Sequence, residues 1–191
     1  MMREIYYVLS KCSSKETYDS LFNISEYSEF PKNFKLNFTD DLSYAFQNCN
    51  VGYWLDKDNL RTICETWNTS HVEYFTGTFA HSTISTEIIQ HMDVSKGAFF
   101  DSFFYDTEDV DDFKYLRNMD FSSSLSYYRM FEKCQNNPIN YKNISKMKVN
   151  PNASFYGFFS ELPRDSAEHF RSWFPDMSID EIVKKLCKKS H

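Results

Sequence analysis

The amino-acid sequence predicts an α+β fold, a helix-rich single domain with a small sheet that includes the N-terminal strand. Three observations predict it. Several segments repeat their apolar residues at i, i+3, i+4 and i+7, the spacing of one helix face. A few short β-branched and aromatic runs, the first at Glu4 to Leu9, read as strands. At 191 residues, 41% apolar and 25% charged, the chain has the size and composition of one globular core, 1–191.

The elements follow in order. After the strand Glu4 to Leu9, a helix start at Ser13 to Glu16 leads to an imperfect apolar face ending before Pro31. Asp40 to Cys49 carries Leu42, Ala45, Phe46 and Cys49 at helical spacing and predicts an amphipathic helix capped by Thr39 or Asp40. Val51 to Leu55 reads as a short strand and Asp58 to Trp67 as a helix. Val72 to Phe79 alternates weakly, as a strand would, and 83–93 reads as a helix with Ile84, Ile88 and Met92 on one face. Further helices are expected from Asp106 or Thr107 to Met119 and from Leu125 to Gln135, the second closed by Asn136-Asn137-Pro138.

The polar stretch 136–152, with two prolines, is the candidate long loop or domain seam. Phe155 to Phe159 reads as a strand, and Pro163 to Phe174 as a helix with proline at its first turn. The last helix has the clearest signature. Ser178 and Glu181 form a capping-box pattern, Ile179, Ile182, Val183 and Leu186 an apolar face, and lysines crowd the C-terminal turns. No internal repeat is apparent in the sequence.

Composition narrows the function classes. Four isolated glycines leave no phosphate-cradling loop, and no Walker, HExxH, GxSxG or EF-hand pattern is present, so no cofactor is implied. No apolar run is long enough to span a membrane and no secretory leader is apparent, which with five scattered cysteines predicts a cytoplasmic protein with reduced thiols. A net charge of −6 argues against direct nucleic-acid binding, which depends on neutralising phosphates. The charge is polarised: acids dominate up to residue 128 and bases after it.

Two candidate sites emerge. His71, His81 and His91 fall close together in sequence, accompanied by Glu87 and Asp93; on a helix Glu87 and His91 would share a face, as a metal-dependent or His-assisted hydrolase would require. The other candidate is acidic and aromatic: Asp101, Asp106, Glu108, Asp109, Asp111 and Asp112 interleave with rings that include Phe103 and Phe104. Charges that steer a basic protein partner, beside rings that anchor it, suit an interaction surface. The favoured expectation is a small acidic interaction protein of the immunity, anti-defence or inhibitor type that binds and blocks a basic partner. The hydrolase is the alternative.

Overall fold

The structure, a computed structural model, describes residues 40–48, 61, 65, 68–136 and 138–187. The expected strands at Glu4 to Leu9 and Val51 to Leu55 and the helix before Pro31 lie outside these residues. Of the helix expected over 58–67, only Arg61 and Glu65 are described, both helical.

A tight turn is the building unit. Within 74–81 the Thr78 N–H donates to the Phe75 carbonyl at 3.3 Å and the Ala80 N–H to the Gly77 carbonyl at 3.1 Å, so four-residue turns overlap. Gly77 sits at φ +60°, the left-handed conformation that the third residue of a type II turn requires. The same unit recurs at 41–48, 99–106, 126–133 and 154–161. Tyr44, Ser102, Arg129 and Gly157, the counterparts of Gly77, all have φ between 56° and 64°.

Each turn segment hydrogen-bonds to the next through its backbone. The N–H groups of Leu42, Tyr44, Phe46 and Asn48 donate to the carbonyls of Tyr74, Thr76, Thr78 and Ala80, and the pattern continues through the segments beginning at Tyr74, Phe99 and Ser126. The pairing is parallel throughout: Asp41 with Tyr74, Tyr74 with Phe99, Phe99 with Ser126 and Ser126 with Ser154. The chain therefore winds as a stack of coils, each returning one rung further along.

Two short parallel ladders complete the circuit. β1 (Thr83–Ile84) pairs with β2 (Glu108–Asp109), and β3 (Asp120–Phe121) with β4 (Lys148–Val149). Between them each coil makes a brief helical passage: α1 (Thr86–Ile89), a 3₁₀ turn Leu116–Asn118, α2 (Tyr141–Ile144), then α3 (Arg164–Ala167) with a 3₁₀ turn Glu168–Phe170. The corner before each of the turn segments at 74–81, 99–106, 126–133 and 154–161 is pinned by a side chain. Asn68, Asp93, Asp120 and Asn150 each accept from the backbone N–H two residues on, at 3.0 to 3.2 Å, as Asx turns do.

Five phenylalanines, Phe46, Phe79, Phe104, Phe131 and Phe159, occupy one position in five successive coils, with the first pair's ring centroids 5.3 Å apart. Beside them Phe75 stacks on Phe100 at 5.0 Å and Tyr127 meets Phe155 at 4.8 Å. The buried residues from Leu42 to Leu186 form one cluster. Tyr127 is buried but satisfied: its hydroxyl donates to the Phe121 carbonyl and accepts from the Asn150 N–H, while burial pushes its pKa up to about 12. α4 (Ile179–Cys187) closes the far end, where the Leu186 carbonyl accepts from the Phe159 N–H.

The architecture corrects several expectations. Strand and short helix do mix, but the described residues are not helix-rich. Residues 40–48 of the helix expected from Asp40 to Cys49, and the segment 125–135 also expected as a helix, are turn ladders. The expected helix over 83–93 is reduced to α1 preceded by β1, and that from 106 or 107 to 119 to β2, turns and one 3₁₀ turn. The apparent lack of a repeat is also overturned. Within the stretch 136–152, expected as a long loop or domain seam, lie α2 and β4 and the buried Ile144 and Met147. The final helix agrees with expectation. The Ser178 N–H and hydroxyl both donate to Glu181, holding its carboxyl below the usual range, and Ile182 and Leu186 are buried.

Candidate binding surface

Coil stacking brings the acidic segment into the middle of the molecule, and its carboxylates accept hydrogen bonds from the coils on either side. Asp101 accepts from the Ser126 hydroxyl and, at 3.0 Å, from the Tyr128 N–H. Asp106 pairs with His81 Nδ1 at 2.8 Å and accepts from Gln135 at 3.2 Å. Asp111 accepts from the Ser85 hydroxyl and the Glu87 N–H, and Asp112 from Asn136 at 3.1 Å.

Asp109 is the most deeply engaged. Its carboxylate, 1% exposed, accepts from the Thr86 N–H at 2.9 Å, the Thr86 hydroxyl at 2.7 Å, the Phe113 N–H at 2.6 Å and the Asp111 N–H at 3.2 Å. Burial raises its pKa, while the donors from Thr86, Asp111 and Phe113 pull it down. Its own N–H donates to the Asn136 side chain at 2.9 Å. The carboxylate thus ties its own coil to the one before, and the backbone N–H of the same residue ties it to the one after.

Phe103 and Phe104 are fully buried, Phe104 within the phenylalanine column. With Asp109 they are unavailable to a partner in the folded protein, which corrects the expectation that they form a recognition surface. Acids and rings alternate here because a turn ladder alternates carboxylates that bridge coils with rings that fill them. Of the segment's candidate residues, Glu108 and Asp112 are exposed, while Asp101, Asp106 and Asp111 are half-buried.

The histidines do not assemble. His71, His81 and His91 are all exposed; His81 pairs with Asp106, and His91 Nε2 lies 3.9 Å from Glu65. α1 ends at Ile89, so Glu87 and His91 are not held on one helical face. Among the described residues no three His, Cys, Asp or Glu side chains converge where a metal ion could sit, so His71, His81, His91 and Asp93 do not form a ligand set. Burial raises the pKa of Cys134, and its thiol faces the Phe104 carbonyl at 3.4 Å, an inert structural position.

A surface that sequence reasoning missed lies on the turn face of the first coils. Tyr44 is 46% exposed and Tyr74 41% exposed, and Phe99 stacks on Tyr74 with centroids 5.4 Å apart. Tyr44 lies over Gly77: a Cβ on that glycine would come within 2.5 Å of the tyrosine ring, so the missing side chain makes the seat. Asp40, Asp41 and Glu73 stand beside these rings. The Asp40 carbonyl accepts the N–H groups of both Glu73 and Tyr74, at 2.8 and 3.1 Å, and Asp41 pairs with Tyr74. The signal was present in sequence as aromatic residues at turn positions, but it has meaning only once the coils are in register.

Charge is graded along the stack. The described residues up to Phe113 contain twelve Asp and Glu against one arginine and one lysine, whereas those from Lys114 onward contain eight acids and eleven Lys and Arg. The basic half has its own ring cluster, in which Arg129 lies 4.8 Å and Lys133 5.3 Å from the Tyr105 ring. No helix among the described residues is long and apolar enough to cross a membrane. No family model, curated protein or solved structure matches the chain.

Proposed function

We propose that the chain is a non-enzymatic interaction module that binds a protein partner with a basic surface and blocks it, using the acidic end of its coil stack. The observation that carries the reading is the charge grading: because coils stack in chain order, a polarised sequence becomes a polarised surface, with twelve acids to two bases among the described residues up to Phe113. A single-signed surface steers an oppositely charged partner and speeds its encounter. The hydrogen-bonded role of Asp101, Asp106, Asp109, Asp111 and Asp112 favours a recognition surface that leaves these five out. Such a surface uses the exposed acids and rings of the first coils together with the exposed Glu108.

The test is capture from host extract on the immobilised chain, compared with an Asp40→Asn, Glu73→Gln, Glu108→Gln variant. The reading expects captured protein to be basic, to elute with rising salt as screening shortens the attraction to about 8 Å at physiological ionic strength, and to be depleted on the variant. A neutral or acidic partner retained equally by both proteins refutes it.

A further inference from the structure

We infer that the edge formed by Tyr44, Tyr74 and Phe99, with Asp40, Asp41 and Glu73 beside it, is the docking site for an extended arginine-rich segment of a partner. The inference rests on the proposed function and names the place and chemistry of its contact.

The geometry supplies both halves of an arginine site. Tyr44 and Tyr74 remain more than two-fifths exposed although the fold has ample aromatic core in which to bury rings. Tyr44 has one face seated on Gly77, and Tyr74 has one face covered by Phe99, at an interplanar angle of 9°. A planar guanidinium stacks on an exposed ring while its fork of N–H donors meets carboxylates, a combination that a lysine ammonium reproduces poorly. Asp40 and Glu73 are both exposed, joined by one backbone hydrogen bond, and form no ion pair among the described residues. Lys96, exposed two residues before Ala98, whose N–H bonds the Glu73 carbonyl, forms none with them either.

Spacing favours an extended ligand. Asp41, Tyr74 and Phe99 occupy one position in three successive coils, aligned by parallel pairing. Neighbouring strands repeat at about 4.8 Å, so the three rungs span about 10 Å, the reach of roughly three extended residues. A short run of arginines laid along the stack meets the exposed acids Asp40 and Glu73 beside the rings of Tyr74 and Phe99.

The experiment titrates the full chain with fluorescein-labelled nona-arginine, nona-lysine and nona-glutamate, read by anisotropy at about 50 and 300 mM salt. A ring variant, Tyr44→Ser with Tyr74→Ser, uses the residues that later coils place at those positions, Ser102 and Ser126, so the fold tolerates them. A charge variant carries Asp40→Asn with Glu73→Gln, and a control carries Glu161→Gln with Asp165→Asn on the last coil. The expected result is nona-arginine bound several-fold more tightly than nona-lysine, with no binding of nona-glutamate. The ring variant lowers arginine affinity at least fivefold and narrows the arginine-to-lysine gap. The charge variant lowers affinity and flattens the salt response, while the control matches the parent; should the ring variant lose its fold by circular dichroism, the charge variant decides. Equal arginine binding by parent, ring and charge variants overturns the inference in favour of diffuse attraction. If nona-arginine fails to bind while a basic partner captured from host extract is still lost on the Asp40, Glu73, Glu108 variant, the inference falls and the proposed function stands. If neither responds, both fall.

Discussion

Replacing Asp109 with Asn separates a carboxylate that builds the fold from one that meets a partner. Every group bonded to the Asp109 side chain is a donor: two backbone N–H groups and a hydroxyl at 2.6 to 2.9 Å, and a third N–H at 3.2 Å. An amide has one acceptor oxygen, so its NH₂ must face two of these donors. In one orientation it opposes the Thr86 hydroxyl and the Phe113 N–H. The hydroxyl rotates away, but the Phe113 N–H is fixed. A buried donor left unpaired costs about 1–3 kcal/mol, so the substitution should cost about 2–4 kcal/mol in all. For a chain of this length each kcal/mol lowers Tm by roughly 2–4 °C, which predicts a fall of roughly 5–15 °C by calorimetry or circular dichroism at neutral pH. Glu108→Gln, one residue away and exposed, should leave Tm within about 2 °C, since surface substitutions stay within about 0.5 kcal/mol. A parent-like Tm for Asp109→Asn would refute the reasoning and return Asp109 to the surface.

Other substitutions test other parts of the stack. Ile182→Ala in α4 should cost about 2–5 kcal/mol, measured as a lower urea midpoint, because the helix closes the core and is not a tail. Gly77→Ala should destabilise through its φ of +60° and its collision with Tyr44, and adding Tyr44→Ser should recover the second part of that loss in a double-mutant cycle. Ser102→Gly, at φ 56°, should raise stability by up to about 1 kcal/mol, since a left-handed L-residue costs about 1–2 kcal/mol and glycine's extra chain entropy takes back part of that. The Glu181 carboxyl is held below its ordinary range by the Ser178 hydroxyl. Its contribution is therefore present above the ordinary carboxylate range and lost as pH falls through the folded-state value. Glu181→Gln should flatten that acid limb in a pH series of melting curves.

The sequence carried some elements of this fold and disguised others, for one physical reason. α4 was legible because capping box, apolar face and basic C-terminal turns all agree, and local signals need no tertiary context. The segment 40–49 was misread because a ladder of four-residue turns buries Leu42, Ala45 and Phe46 with the same i, i+3, i+4 spacing as a helix. What separates the two is longer-range: a phenylalanine four residues after an apolar position, preceded by an Asn or Asp corner, recurring once per coil. Phe46, Phe79, Phe104, Phe131 and Phe159 recur at unequal intervals and with little else in common, so the period is blurred. The acidic-aromatic segment was noticed for its composition, but which carboxylates face solvent depends on the coils above and below it. The Tyr44 to Phe99 edge was invisible because its members are far apart in sequence.

Parallel stacking also sets how such a chain can change in length. The backbone bonds that join turn segments run between successive coils, so the register of each coil is inherited from its neighbour. Removing 99–125 as a block would bring Tyr74 opposite Ser126, with Phe79 meeting Phe131 and the corner at Asp120 replaced by its equivalent at Asp93. Removing a single residue inside a turn segment would instead throw every later side chain out of its column. The coil, not the residue, is the quantum in which this molecule can be lengthened or shortened.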